Sequence, residues 1–491
     1  MSLSKASRLS RWAALAGLLL LPLITRIEAS GVSENPGPVT TTQKDQTDVS
    51  VTVYNSNLAL VRDVRRVHLE PGVLPLRFED VAASIMPATV HFRSLTDPAK
   101  LNVVEQNYEY DLLDPQKLLQ KYVGREITLV QRETDAGSTK WVEAKALLLS
   151  DNNGPVWKIG NEIVTGMAAE SYRFPDLPDN LYSRPTLIWT LDNRGAGAQQ
   201  VEASYLANNI SWSADYVLTV GRDEKMADLD GWVTLVNNSG ASYHDATLQL
   251  VAGEVHRTPQ AEAVMRDMVV KEMSAPAAKP GFEQEPFSEF HLYSLGRRTS
   301  IENSESKQVS LLSKTNIPVE KYLSVEGQPY YFRNPQGIGN AIPQPVRVFY
   351  RFRNDEKSGL GMPLPAGTVR VYQADRKGAI EFGGEDTIQH TPKDEALRIY
   401  VGNAFDVICE RKQTDYKKLA SNLYELEYEI TLRNHKDSAV NVEVREPVGG
   451  DWDVLNANYK WTKLDAGTIG FQIPVDKDGI ATLDYRVRAK W

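Results

Sequence analysis

Alternation of apolar and polar side chains, kept up in blocks from Val49 to the last residue, constrains this chain more than any other feature. In ISWSADYVLTV, Ile210, Trp212, Ala214, Tyr216, Leu218 and Val220 share one face, while Ser211, Ser213, Asp215 and Thr219 share the other. YELEYEITLRN sets Tyr424, Leu426, Tyr428, Ile430 and Leu432 against Glu425, Glu427, Glu429, Thr431 and Arg433. ATLDYRVRAKW repeats the pattern and ends on Trp491, which is therefore expected to be packed. Successive side chains of a strand point to opposite faces, so these runs predict antiparallel strands with one buried face. The fold class expected is mainly β, built of tandem antiparallel β-sandwich (Ig-like) modules.

Four stretches share one plan: LIWTLDNRGAGAQQVEASYL, WVTLVNNSGASYHDATLQLV, VFYRFRNDEKSGLGMPL and YEITLRNHKDSAVNVEVREPV. Each has a strand, an asparagine (Asn193, Asn237, Asn354, Asn434) and a polar turn, and most continue into a second strand. Asparagine bonds to its own turn, so it suits a strand exit. Any β-sandwich can repeat this device, so the plan supports the architecture rather than a common ancestry of the units.

DPQKLLQKYVG breaks the pattern. Asp114 reads as a helix N-cap, Pro115 as the first helical residue and Gly124 as the stop. Short strands follow, so residues 112–176 are expected to form a small helix-plus-barrel (SH3-like) module. SAPAAKPGFEQEP marks residues 256–286 as a flexible linker or insertion. Within it, Met265, Met268, Val269 and Met273 fall at helical spacing. The expected layout is a signal peptide at 1–29, a disordered leader at 30–48 and a β module at 49–111. After the helix-plus-barrel come a β-sandwich at 177–255, the linker, a β-rich module at 287–395 and a C-terminal sandwich at 396–491.

Lys5, Arg8 and Arg11 precede WAALAGLLLLPLI, and the polar TRIEA follows, which is the order of a secretory signal peptide. Its 13 apolar residues are short for a membrane span. Cleavage is expected after Ala29 or Ser30, and no cysteine is near to carry a lipid. The leader's net +3, subtracted from the chain's −9, leaves −12 for the mature protein. That charge argues against binding nucleic acid. Cys409 is the only cysteine, so no internal disulfide can form. In the strand DVICE it reads as a small buried apolar side chain rather than a reactive thiol.

The chain offers little that reads as catalysis. The seven histidines make no HExxH or His-x-x-x-His pattern. Ser304-Glu305-Ser306-Lys307 matches S-x-x-K, but its flanks read as strands, which would aim Ser304 and Lys307 apart. Asp476-Lys477-Asp478-Gly479 opens like a calcium loop but has Val487 where the bidentate Glu belongs, so it reads as a hairpin turn. Gly383-Gly384-Glu385-Asp386 also reads as a hairpin, with two carboxylates. No catalytic, cofactor-binding or metal-ligating residue is assigned, and no cofactor is expected.

LPAGTVRVYQADRKGAIEFGGEDTIQHTPKDEALRIYVGNAFDVICERK resembles the signature of a bacterial family, domain of unknown function 4139. The similarity continues through LRNHKDSAVNVEVREPV, GDWDV and YRVRAKW, and upstream through NNISWSADYVLTV, WVTLVNNSGASYHDATLQLVAGEV and TSIENSESKQVSLL. VTVYNSNLALVRDVRRVHLEPG resembles the family's opening strand pair. The resemblance implies an exported, β-rich envelope protein. It carries over no catalytic residue.

The function expected is that of a noncatalytic binding or scaffolding protein of the bacterial envelope, periplasmic or secreted. It would meet an envelope protein or a glycan through loops and sheet edges, with no transmembrane segment after signal cleavage. Two alternatives stand beside it: an envelope glycan or peptide hydrolase using Glu385 and Asp386, and a self-assembling structural protein.

Overall fold

The alternating blocks form strands where the pattern places them, among them Ile210–Val220, Leu423–Asn434 and Ile480–Lys490. The computed structural model describes residues 38–109, 112–135, 138–167, 169–178, 181–256, 282–375 and 377–491. The expected signal peptide, and Met265, Met268, Val269 and Met273, lie outside the described residues. No helix among the described residues is long and apolar enough to cross a membrane. The fold is mainly β, and the strands of the described residues lie in six sheets.

Three sheets supply most of the largest core, and Tyr350, Phe352, Leu397 and Ile399 join it from a fourth. The first runs in the order Val39–Thr41, Gly72–Glu79, Thr186–Asn193, Leu101–Glu109. The second holds Tyr243–Ala252, Gln46–Tyr54, Leu58–His68 and Ala198–Asn208 at its centre. In the third, Glu305–Pro318, Met226–Asn237, Ile210–Val220, Gly367–Ala374 and Ile380–Ile388 lie side by side. Val51, Trp189, Leu218, Leu248 and Val369 all belong to this one core.

A second core lies between the two C-terminal sheets. One includes Arg347–Arg353, Glu320–Glu326, Val440–Pro447 and Thr468–Val475; the other includes Val407–Ala420, Leu423–Asn434, Ile480–Lys490 and Asp451–Ala457. Val325, Tyr428, Phe471 and Leu483 are buried there. Trp491 packs on it, with its ring 5.3 Å from that of Tyr424 and its Nε1 donating to Val448 O.

The cores cross the module boundaries expected at 111, 286 and 395, because sheet pairing joins segments far apart in the chain. Most pairings are antiparallel, and among the described residues four are parallel: Val39–Thr41 with Gly72–Glu79, Tyr243–Ala252 with Gln46–Tyr54, Ile210–Val220 with Gly367–Ala374, and Glu320–Glu326 with Val440–Pro447. Alternation reports which face a strand buries and is silent on its partner's direction. Gly367 begins one of these pairings, and a Cβ there would stand 2.1 Å from Ala214 O. That contact explains the glycine of LPAG sterically.

Residues 38–48 are a second correction. They were expected within a disordered leader, yet Val39–Thr41 pairs with Gly72–Glu79, and Thr42 and Asp45 close a capping box around Gln43–Asp45. The buried Arg65 guanidinium donates to Thr41 O at 3.0 Å, so tertiary bonds order a segment too polar to order itself. Phe282–Phe287, at the end of the expected linker, likewise pairs with Phe290–Leu295.

The helix Pro115–Lys121 forms as expected, with Asp114 Oδ1 accepting from the amides of Gln116 and Lys117 at 2.9 Å. It packs through Leu119 on a separate small core holding Trp157, Leu129 and Leu148. The expected barrel does not close. Its five strands run from Glu162–Thr165 at one edge to Ser171–Arg173 at the other, and these edges do not pair. The short strands predict the sheet, but closure needs a tilt and stagger that hydropathy does not encode.

The four strand-exit asparagines perform one task each. Asn193, Asn237, Asn354 and Asn434 are at most 1% exposed. The Asn237 amide donates to Ala241 O, Glu302 O and Ile301 O, and Asn434 donates to Ser438 O, Asp476 O and Val475 O. Asn193 reaches Leu69 O and Ala196 O, and Asn354 reaches Met362 O and Pro392 O. Each sits where the chain leaves one sheet, and each ties that exit to carbonyls of another connection.

Candidate functional site

Glu385 and Asp386 were the only motivation for a hydrolase, and the structure does not bring them together. GGED is no hairpin; it lies inside the continuous strand Ile380–Ile388, at a bulge opposite Val371 and Tyr372. The reason is a close crossing. Gly384 (φ +145°) passes the strand Ala396–Asn403 so tightly that a Cβ would stand 2.3 Å from Val401 O. Asp386 uses Oδ2 to accept the Tyr400 amide at 2.8 Å and Oδ1 to accept the Thr387 amide at 2.8 Å. Glu385 faces the other side of the strand and pairs with Arg370 at 3.4 Å, which also bonds Asp215. Asp386 joins two sheets, and Glu385 ties neighbouring strands of one.

The remaining motifs are structural too. Ser304 is a turn residue (φ 60°) ahead of Glu305–Pro318, and Lys307 donates to Ser300 O. Asp476–Gly479 forms the expected turn between Thr468–Val475 and Ile480–Lys490, closed by a bond from Gly479 N to Asp476 O. Burial pushes the Cys409 thiol up to about 12, outweighing Arg411, which lowers it. A thiol so held is not a thiolate near neutral pH. Burial, with His291 nearby, lowers His390, whose Nδ1 accepts the Ala366 amide. Among the described residues no group of three or more His, Cys, Asp or Glu is placed to hold a metal.

An open cleft of about 460 Å³ is lined by Arg222, Gln373, Ala374, Asp375 and Glu381. Asp375 Oδ1 accepts the amides of Lys377 and Ala379, and so shapes the turn beside it. Behind Gln373 lies Glu224, in the turn after Ile210–Val220. Its Oε1 accepts from Lys321 Nζ at 2.6 Å, Gln373 Nε2 at 3.0 Å and Tyr350 Oη at 3.3 Å. Lys321 and Tyr350 stand on strands of the C-terminal half, so one carboxylate ties the two halves together. No pattern in the sequence marked Glu224, because its partners lie about a hundred residues away or more.

Burial alone raises the Glu224 carboxyl, but the bonds and charge of Lys321 and the bonds of Gln373 and Tyr350 outweigh it and hold it below the usual range. A depressed folded value contributes stability above the unfolded pKa of about 4.3, and that contribution disappears as pH falls through the folded value. Glu224→Gln is therefore expected to lower the melting temperature slightly at neutral pH. The gap between variant and wild type should close on acidification below about pH 4. Melting curves across that range check it; a gap that widens on acidification would refute it.

One exposed sheet edge is the strand Leu101–Glu109. It pairs with Thr186–Asn193, with a bulge at Val104, and among the described residues no other strand pairs with it. Asn102 through Asn107 are all exposed, including Val103 and Val104 at 41% and 58%. The strand is held by Trp189 Nε1 donating to Gln106 Oε1 and by Tyr108 Oη donating to Ala83 O. No motif in the sequence marks a residue here, although the strand's composition, with Glu105 and Glu109 beside two valines, was readable. A second apolar group, Phe405, Ile408 and Ile480, faces solvent near the Asn434 exit.

Residues 201–450, about half of the chain, match the model of the family described as Domain of unknown function (DUF4139). No curated protein matches the chain. The matched segment contains Asn237, Asn354, Asn434, the LPAG and GGED crossings and the strands around Cys409. The chain belongs to the family Domain of unknown function (DUF4139).

Proposed function

We propose that this is an exported, noncatalytic binding or scaffolding protein of the bacterial envelope. The observation that carries the reading is the sheet-edge segment Asn102–Asn107, whose six residues are all exposed. Unpaired edges are templates for another strand, and soluble proteins commonly cover or blunt them. The leader at Met1–Ala29 and the net charge of −12 support export and solubility. The bonds that occupy Glu385 and Asp386 leave the hydrolase reading without its motivation.

Two measurements test this reading. Mass analysis of the protein from a cell-envelope fraction should find the mature N-terminus at Ser30 or Gly31. A photo-crosslinking residue scanned over the mature surface should trap the same envelope component in repeated preparations. Retention of residues 1–29 in the cytosol, or the absence of any reproducible adduct, would overturn it.

A further inference from the structure

We infer that the outward face of the sheet containing Arg347–Arg353 binds an acidic glycan, taking a sugar carboxylate on Arg347. The inference rests on the binding reading above and names a ligand class for it, at a surface other than Asn102–Asn107.

Alternation builds the face. Val348, Tyr350 and Phe352 turn toward the cores, so Arg347, Phe349, Arg351 and Arg353 turn the other way. Four guanidiniums of this face are already matched: Arg351 by Glu320, Arg353 by Asp355, Arg398 by Glu326, and Arg445 by Glu326 and Glu443. Arg347 is the exception. Among the described residues no carboxylate pairs with it, and the residues opposite it in register, Ser324 and Asn403, are neutral. The face therefore carries an unmatched positive charge on a chain whose net charge is −9.

The surroundings of Arg347 prepare it for an oxyanion. Its guanidinium lies 5.7 Å from the centre of the Tyr400 ring, within the range of cation–π attraction, and the residue is half-buried. Tyr400 Oη donates to Asn403 Oδ1 at 3.0 Å, so the amide nitrogen of Asn403 remains as a second donor across the strand pair. A guanidinium fork matches the planar carboxylate with two parallel bonds.

The neighbours of that charge select the rest of the ligand. Glu320 and Glu326 add acceptors beside the guanidinium donors. A sugar acid brings one carboxylate among hydroxyls that both donate and accept, so it suits such a mixture. Polyphosphate would set dense negative charge against those glutamates. An acidic peptide strand needs partners for its backbone, which a sheet edge supplies and a sheet face does not.

The test titrates the mature full-length chain with a hexamer of galacturonic acid by isothermal titration calorimetry. The methyl ester of the hexamer, polyglutamate and inorganic polyphosphate are the controls. Expected are saturable binding of the hexamer, about tenfold weaker binding by Arg347→Gln and a larger loss by Arg347→Glu. Lys314→Glu, at an exposed position on a different sheet, should bind as the wild type does. Arg347 belongs to none of the ion pairs above, and an unchanged melting temperature verifies each variant's fold. Equal binding of the methyl ester, tighter binding of polyglutamate or polyphosphate, no saturation by the hexamer, or indifference to both Arg347 variants would each overturn the inference. Failure here beside a reproducible envelope adduct at another surface leaves the binding reading standing; loss of every adduct removes that reading instead.

Discussion

Arg411→Met should cost about 3–5 kcal/mol of stability, whereas Arg411→Met combined with Glu446→Leu should fall close to the wild type or above it. Arg411 stands on Val407–Ala420 and Glu446 on Val440–Pro447, in the two facing sheets of the C-terminal sandwich. Their side chains are 2% and 0% exposed. Arg411 Nη1 donates to Glu446 Oε2 at 3.0 Å, and Nη2 donates to Oε1. The guanidinium also lies 4.8 Å from the Tyr331 ring and 5.3 Å from the Tyr428 ring. Removing one partner strands a charge in a dry core, while removing both replaces two desolvated ions with apolar volume. Urea unfolding of the single and double variants measures the difference. A single variant within about 1 kcal/mol of wild type would show that the pair does not hold the sheets together.

The second large effect belongs to the asparagine exits. Asn237→Asp exchanges an amide that donates to three carbonyls for a carboxylate that repels them, at a site with no exposure. The Oδ1 side remains satisfied by the amide and hydroxyl of Ser239, so the loss falls on the donor side. A buried acceptor facing acceptors costs about 3–5 kcal/mol, with a fall in melting temperature on the order of 10 °C. Asn238→Asp, one residue on and exposed, is the control and should change stability by less than about 0.5 kcal/mol. Differential scanning calorimetry of the two variants separates them. Equal melting temperatures would mean that Asn237 is replaceable and that the four exits share a composition rather than a mechanism.

Much of the fold was legible because its signals are local. Alternation needs only neighbouring residues, and it located Ile210–Val220, Leu423–Asn434 and Ile480–Lys490 with their buried faces. Asp114 and Pro115 announced their helix through the chemistry of its first turn. The asparagine exits were readable as turn residues, although their burial and their reach to distant carbonyls were not. GGED misled because two glycines ahead of two acids look the same in a hairpin and in a bulged strand crossing a neighbour. Only the nearby Val401 carbonyl distinguishes the two.

By itself, the sequence determined the β class, the face each strand buries, the helix cap and the four exits, since each follows from residues within a few positions of one another. Tertiary structure alone decided which strands pair in parallel, that the small sheet stays open, and that residues 38–48 are ordered. It also decided that Glu224 and the Arg411–Glu446 pair tie sheets together and that Asn102–Asn107 lie exposed at a sheet edge. Those outcomes depend on partners tens to hundreds of residues away, whose positions exist only once the sheets have stacked.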